Sequence, residues 1–228
     1  MKDIYVYENT DVLVNKLNIK NLKELDSVEG ILVTTNLISL LNNPFIIKSV
    51  LDVKKIHKAL FFDLYDWAGE VRKINMYKSE PVLNGLSVNY SDFNNIDSDL
   101  NRLDRYFKSI DWKNLSKKET IDDIVQLISR LWRIHCFREG NTRTVTTFLY
   151  LFMKQIELRV DTKFIGEHAK FFRNALVLAS IDQYSEYEHL TNILMDSIST
   201  KSIASGKYKT IKKYEVEKYE YTSHKYKD

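Results

Sequence analysis

Glycine and proline are scarce in this chain, and their scarcity limits the folds that it can adopt. Only eight of its 228 residues are glycine or proline, against roughly 12% in average proteins. A β-sandwich or β-barrel needs a turn signal every ~8–12 residues, and the chain does not supply them. Collagen-like and low-complexity chains are excluded for the same reason. The sequence therefore predicts a mainly α-helical globular protein.

Charge and cysteine content exclude several classes of function. The chain has 34 Lys and Arg against 31 Asp and Glu, a formal charge of +3, which is too small by itself to indicate a nucleic-acid partner. The single cysteine, Cys136, excludes an intramolecular disulfide framework and a multi-cysteine metal site. Residues 1–14 do not resemble a secretory signal, and no apolar window approaches a membrane span. We expect a cytoplasmic protein without a membrane segment, and delivery as a secreted effector by another kind of signal stays open.

Apolar residues recur at three- and four-residue steps through most of the chain, which predicts a succession of helices. Between the second and third of them, residues 71–88 hold the densest turn chemistry, Ser79-Glu80-Pro81 and Asn84-Gly85, which predicts a small β-hairpin. We expect an N-terminal extension over residues 1–20, one domain over 21–200, and a basic Tyr/Lys-rich tail over 201–228, either solvated or binding a partner. The predicted helices cover residues 22–41, 50–64, 93–107, 121–134, 145–156, 171–179 and 190–198.

The link between two of these helices is unusually polar for its position. Gly140 permits close backbone approach or a positive φ, and Asn141 can cap the following helix, so that the free N–H groups of its first turn form an anion site with Arg143. Glu139 is an oxygen ligand suited to Mg²⁺, and His135 can accept a hydroxyl proton at neutral pH. These groups together indicate phosphoryl or nucleotidyl transfer, and the alternative is a charged loop that only faces solvent.

Two segments resemble the Fic-domain family. The first, His135-Cys136-Phe137-Arg138-Glu139-Gly140-Asn141-Thr142-Arg143, resembles the motif HxFx(D/E)GNxRxxR. The second, residues 62–72 with the sequence FDLYDWAGEVR, is similar to the stretch that leads into the Fic flap. The resemblance covers roughly residues 22–198 and implies a helical bundle with a small β-hairpin flap.

The resemblance also implies an activity and a role for each matching residue. It implies a protein adenylyltransferase that moves AMP from ATP to a Tyr, Thr or Ser hydroxyl of a target protein and releases pyrophosphate. His135 would be the general base, Glu139 would bind Mg²⁺, and Phe137 would anchor the loop. The nucleotide phosphates would be held by Gly140, Asn141, Thr142 and Arg143. The flap would pair its backbone with an extended target segment, through Lys73, Ile74 and Asn75 at its start.

The departures from the family pattern concern nucleotide binding and regulation. Cys136 stands in the place of a proline, and Thr142 in the place of a frequent glycine. Thr146 replaces the second motif arginine, which in the family contacts the γ-phosphate and pairs with an inhibitory glutamate. The inhibitory pattern (S/T)xxxE(G/N) is broken at Glu29, and the stretch around Glu188 is equally imperfect. We expect both glutamates to be ordinary helix residues, with regulation absent or supplied by a separate antitoxin-like chain.

Two other functions stay open at this point. One keeps the enzyme class and changes the transferred group, as in a phosphoryl transferase or a user of another nucleotide. The other is a degenerate Fic fold that only binds a partner, with the basic tail on nucleic acid or an acidic protein. We expect His57 and His168 to be structural or exposed, and Cys136 to be a buried small residue and not a nucleophile.

Overall fold

The structure is a computed structural model that describes residues 3–199 and 207–211. This part of the chain forms eight α-helices, and the prediction of a mainly helical fold is confirmed. The segment predicted as a helix over residues 50–64 begins with a short 3-10 turn at Val50–Asp52, and the α-helix follows it. The sequence pattern did not predict the sixth helix. The helices are α1 (Leu22–Asn42), α2 (Val53–Phe61), α3 (Ile96–Ser109), α4 (Lys117–Ile134), α5 (Asn141–Gln155), α6 (Thr162–Glu167), α7 (Ala169–Leu178) and α8 (Glu188–Ser197).

Helices α4 and α5 form the centre of the bundle. Helix α4 starts with a reciprocal capping box between Ser116 and Glu119, which satisfies two N–H groups of its first turn, and buries a broad apolar face. It packs against α3, α5, α7 and α8, while α2 packs against α1 and α5. Trp132, fully buried near the end of α4, donates from Nε1 to the Thr142 hydroxyl of α5 at 2.9 Å. The loop between the two helices is therefore held at both ends by rigid elements.

The flap reverses the chain where the turn residues predict, but its arms do not form the two expected strands. The Glu80 N–H donates to the Leu86 carbonyl at 2.9 Å, and a 3-10 turn at Pro81–Leu83 completes the reversal. The Lys78 N–H bonds to the Ser87 side chain and not to a backbone carbonyl, which interrupts the ladder that a two-stranded ribbon needs. Within the described ranges the one β-bridge joins Val6 and Leu13.

Both ends of the described chain pack on the bundle. In the N-terminal segment Tyr5 is buried with its ring edge on Trp67, and its hydroxyl accepts a hydrogen bond from the Lys73 N–H at 3.0 Å. Of the predicted tail, the structure describes residues 207–211, where Tyr208 is buried against Phe171 and not solvated. The rest of that tail lies outside the described residues. No described helix combines the length and apolarity that crossing a bilayer requires.

Candidate active site

The loop after α4 takes two left-handed backbone conformations that fix its path. His135 ends the helix with φ 51° and ψ 57°, and Gly140 has φ 78°. A Cβ built on Gly140 would lie 2.3 Å from the ring of Phe61, closer than atoms can approach, so only glycine fits there. The four residues between them are consequently folded tightly over α2.

Asn141 closes the loop and does not cap the following helix. Its Oδ1 accepts from the Phe137 N–H at 2.9 Å, and its Nδ2 donates to the Phe137 carbonyl at 2.7 Å. Gly140 takes the N-cap position instead, and since it has no side chain, the first turn of α5 has no side-chain cap. The uncapped N–H groups and the positive end of the helix dipole form an anion site. Both polar atoms of the Asn141 amide are thus bonded to the loop.

His135 has the geometry of a general base. Its side chain is buried, and Nδ1 lies 3.3 Å from the Trp132 carbonyl. Because a carbonyl oxygen can only accept, Nδ1 carries the proton and Nε2 has a free lone pair. Nε2 is buried and has no hydrogen-bond partner in residues 3–199 and 207–211. Burial, with the nearby cations Lys78 and Arg72, holds the pKa of His135 well below its usual 6.5, so that the imidazole is neutral at physiological pH.

Arg72 and Tyr90 connect the flap to this histidine. The Arg72 side chain is buried and donates from Nε to the His135 carbonyl at 2.8 Å, while its other nitrogens donate to the carbonyls of Ile74 and Ser91. One guanidinium thus joins the two arms of the flap to the loop after α4. The ring of Tyr90 stacks on the imidazole with centroids 3.9 Å apart. The flap is therefore closed over the candidate base.

Glu139 lies between two cations at the start of α5. Its carboxylate accepts from the Gly140 N–H at 2.9 Å, and its oxygens lie 3.2 Å from Lys78 Nζ and 3.8 Å from Arg143 Nη2. Burial alone would raise the pKa of Glu139, but the surrounding cations and the Gly140 N–H outweigh it, and the pKa lies below its usual value. The carboxylate is ionised and partly exposed, as a metal ligand must be.

The donor set fits Mg²⁺ bound together with a nucleotide. Among the described residues there is no group of three His, Cys, Asp or Glu side chains that could hold a metal ion. Mg²⁺ typically takes one or two carboxylates from the protein and completes its shell with water and substrate phosphates. Glu139 supplies one such carboxylate beside the anion site, so a magnesium nucleotide fits these residues and a free structural metal does not.

Arg143 is engaged by a glutamate from α1. Its Nη2 donates to Glu29 Oε1, and the Tyr65 hydroxyl donates to the other carboxylate oxygen. The side chain of Glu29 is only 12% exposed. Glu29 is thus not the ordinary helix residue that its broken motif led us to expect, whereas Glu188 lies exposed at the start of α8.

Thr146 leaves an apolar gap beside Arg143. Its hydroxyl donates to the Thr142 carbonyl one turn earlier at 2.8 Å. A mostly apolar cavity of about 280 Å³ opens next to it, with Leu37 and Phe172 among the residues that line it. The side chain therefore offers no charge to a ligand, as the sequence indicated.

The predicted flap residues lie at the base of the flap and not over the loop. Ile74 is buried, Asn75 bonds to Asp92 and to the Phe93 N–H, and Lys73 bonds through its backbone to the N-terminal segment. The flap residues that reach His135 and Glu139 are Tyr90 and Lys78. The turn-rich segment 71–88 signalled the flap, but nothing in the sequence indicated which of its side chains face the loop.

His57 supports the loop from below. Its Nδ1 accepts from the Gly69 N–H at 2.8 Å, and its Nε2 donates to the Glu139 carbonyl at 3.1 Å. The ring stacks on Phe137 with centroids 3.9 Å apart, and burial lowers the pKa of His57 to about 3. Burial also raises the pKa of Cys136 to about 12, which excludes a thiolate at neutral pH. The expectations of a structural His57 and an unreactive Cys136 agree with this geometry.

Comparison with known sequences shows that the part of the chain around this loop is similar to a described family. Residues 49–153 match the sequence profile of the Fic/DOC family. The chain is 27% identical over 194 residues to the protein adenylyltransferase VbhT of Bartonella schoenbuchensis, covering 85% of this chain and 38% of that protein. It is also 27% identical over 165 residues to the probable protein adenylyltransferase y4lH of Sinorhizobium fredii, covering 71% of this chain and 80% of that one. The chain thus spans well under half of the first relative.

Solved structures share the fold. The N-terminal Fic domain of the Bep8 effector from Bartonella sp. 1-1C has a TM-score of 0.73 at 24% identity, covering 88% of this chain and 97% of that one. BepC from Bartonella tribocorum, solved with bound AMPPNP, has a TM-score of 0.72 at 21% identity, covering 85% and 95%. At these identities the likeness shows a common fold, and the helical bundle is a Fic fold.

Proposed function

We propose that this chain is a protein adenylyltransferase that transfers AMP from ATP to a Tyr, Thr or Ser hydroxyl of a target protein, because residues 49–153 match the Fic/DOC family profile. The observation that carries this proposal is the buried Nε2 of His135, which has a free lone pair and no partner among the described residues, in the loop that leads into the uncapped N-terminus of α5. The names of the relatives and the AMPPNP-bound neighbour support the choice of reaction and nucleotide.

In the proposed reaction, the target hydroxyl oxygen attacks the α-phosphorus of ATP. The bond from this phosphorus to the oxygen that bridges it to the β-phosphate breaks, and pyrophosphate leaves with the bond's electron pair. His135 Nε2 takes the hydroxyl proton, because its depressed pKa keeps it neutral before the attack. Arg143 and the N–H groups at the start of α5 offset the charge on the phosphate oxygens. Mg²⁺, held by Glu139 and the nucleotide, would supply Lewis-acid polarisation of the phosphates.

The described conformation is the resting one in this proposal. Glu29 forms an ion pair with the guanidinium of Arg143, and Lys78 forms one with the carboxylate of Glu139. The ring of Tyr90 stacks on that of His135. Each of these three residues is thus contacted by another side chain of the same protein, while His135 Nε2 keeps its free lone pair. The Glu29 contact favours restraint within the chain over a separate antitoxin-like inhibitor. We also place the reaction in a cytoplasm, where ATP is available, reached directly or after translocation as for the VirB-translocated Bartonella effectors.

A phosphoryl or other nucleotide transferase is the second candidate function. Thr146 and the apolar cavity beside it favour the use of a nucleotide other than a triphosphate, because a site without the second arginine binds a triphosphate less strongly. A Fic fold that only binds a partner is the weaker alternative, since it leaves the buried, unpartnered Nε2 of His135 without a purpose.

Incubation with Mg²⁺ and labelled ATP tests the proposal. We expect label from the α-phosphate to become attached to protein, either to a target in an extract or to the chain itself, and label from the γ-phosphate to remain in solution. His135→Ala should abolish the transfer and retain nucleotide binding, because the imidazole contacts the hydroxyl and not the phosphates. Attachment of γ-label would instead identify a phosphoryl transferase, and normal transfer by His135→Ala would remove His135 from the base role.

A further inference from the structure

Helix α5 supplies fewer cations to the anion site than a triphosphate calls for. Arg143 projects from its first turn toward Glu139, but the position one turn on is Thr146, whose hydroxyl is bonded back to Thr142. The cavity beyond Thr146 is mostly apolar. A phosphate chain needs several charge-assisted contacts to be held, so another element has to provide the missing charge.

Lys78 of the flap is the cation placed to do so. Its Nζ lies 3.2 Å from Glu139 Oε2, while Arg143 Nη2 lies 3.8 Å from Oε1 of the same carboxylate. An ammonium and a guanidinium therefore flank one carboxylate at the N-terminus of α5, from opposite elements of the fold. The same carboxylate accepts the Gly140 N–H, so both cations are held within the reach of that N–H group.

The position of Lys78 is held by the surrounding flap. Its side chain is only 27% exposed, although lysine is normally among the most exposed residues. Its backbone N–H donates to Ser87 Oγ at 3.1 Å. The flap is also fastened to α7 two residues later, where fully buried Glu80 makes a bidentate pair with Arg173 at 2.6 and 2.9 Å. Lys78 is thus aimed at Glu139 by a fixed backbone.

We propose that Lys78 is the second cationic ligand of the nucleotide phosphates, in the place that Thr146 leaves without a charge. The proposal rests on the function proposed above and adds a binding residue to it. With a magnesium nucleotide bound, Glu139 would hold the divalent cation in place of Lys78, and the Lys78 ammonium group would donate to the β- or γ-phosphate oxygens. Because Lys78 belongs to the flap, the nucleotide fastens the flap from its inner side before a target segment is presented to it.

In the contrary role, Lys78 takes the place of the metal ion at Glu139 and competes with that ion. Both roles agree with the Lys78–Glu139 pair, but they give opposite signs for the affinity of ATP. A phosphate ligand, once removed, weakens binding of the magnesium nucleotide, whereas a competing cation, once removed, strengthens it. The affinity of the Lys78→Gln variant therefore decides between them.

The experiment measures nucleotide affinity by calorimetry, with ATP and AMP in the presence of Mg²⁺. For Lys78→Gln we expect ATP binding to weaken roughly tenfold or more, which corresponds to one lost charge-assisted hydrogen bond. AMP binding should change much less, because AMP has no β- or γ-phosphate. Thr146→Arg in the Lys78→Gln background should restore most of the ATP affinity, since it returns a cation to α5.

Lys163→Gln serves as the matched control. Lys163 forms an i,i+4 pair with Glu167 on α6, so the substitution removes the same kind of ion pair without touching Glu139, and ATP affinity should stay at the wild-type value. All variants are measured with and without Glu29→Gln, which frees Arg143. ATP binding that is unchanged or tighter in Lys78→Gln overturns the role of Lys78 and leaves the proposed function standing. If neither the wild-type chain nor the Glu29→Gln variant binds ATP, both the role of Lys78 and the proposed function are overturned.

Discussion

Single polar residues in this protein hold the loop after α4 by bonding to its backbone. His57 bonds through both ring nitrogens, to the Gly69 N–H and the Glu139 carbonyl, and Asn141 bonds through both amide atoms to Phe137. The sequence motif suggested which side chains lie in the loop, but it assigned Asn141 to the phosphates. The bonds of His57 reach 82 residues along the chain, and no local pattern records a partner so far away.

The buried histidines make the stability of the fold depend on pH. In the folded protein the pKa of His57 is lowered to about 3 from 6.5, and that of His135 is also lowered. Above pH 6.5 both histidines are neutral in the folded and unfolded chains, and they do not lower the free energy of unfolding. Below it the unfolded chain binds protons that the folded chain excludes, so stability falls progressively toward the folded pKa. For His57 we expect a loss of about 1.4 kcal/mol of unfolding free energy per pH unit.

Urea unfolding from about pH 8 to about pH 5 measures this dependence. His57→Gln should lower the stability at every pH, because one or both backbone bonds weaken, and should also reduce the slope below pH 6.5 by about one proton. Above about pH 7 the slopes of the two proteins should coincide. An unchanged acidic slope in the variant would show that His57 is not the group that resists protonation.

At the scale of elements, α1 was predicted as a helix but not as part of the site. Its apolar positions fix the helix and its contact with α2, whereas the place of Glu29 depends on the angle at which α1 crosses the bundle. The broken (S/T)xxxE(G/N) pattern hid this role, because Leu25 is buried where the pattern expects a hydroxyl. The flap shows the reverse case. Its turn residues predicted where the chain reverses, but they did not predict how the two arms pair.

Removing the charge of Glu29 should release the site. Glu29→Gln keeps a helix-forming side chain and weakens the bonds to Arg143 and Tyr65, so we expect stronger ATP binding and faster attachment of AMP. Intact-mass measurements over time on the protein incubated with Mg²⁺ and ATP follow the second quantity. Glu24→Gln is the control, because Glu24 is exposed in the first turn of the same helix. Equal rates for all three proteins would mean that α1 does not restrain transfer.

At the scale of the whole molecule, the flap joins the N-terminal and C-terminal parts of the bundle across the catalytic loop. It is tied by Arg72 to His135, by Lys78 to Glu139, and by Glu80 to Arg173 of α7. The order of the helices and the position of the loop followed from apolar spacing and the motif. These three contacts could not be predicted from the sequence. Each joins residues more than 60 positions apart, and only the assembled bundle brings them together.

Breaking the tie between the flap and α7 should loosen the flap without unfolding the bundle. Arg173→Met leaves the fully buried Glu80 carboxylate without its cation, which we expect to cost about 1–3 kcal/mol, less than for a wholly buried pair because Arg173 is partly exposed. Hydrogen exchange should become faster in residues 76–90 and stay slow in α4. The Arg173→Met, Glu80→Gln double variant should recover part of the loss. Uniformly faster exchange throughout the chain would instead indicate a general loss of stability.

Cys136 is buried within the loop after α4, so the reactivity of its thiol can report motion of that loop. It is the single cysteine of the chain, next to His135, and its thiol is buried with a pKa of about 12. A maleimide or disulfide reagent in solution can reach the sulfur only while the segment swings away from α2 or the domain unfolds. The labelling rate therefore reports openings of the loop after α4 together with unfolding of the domain, and its slowing by nucleotide would report ligand-induced ordering without any engineered probe.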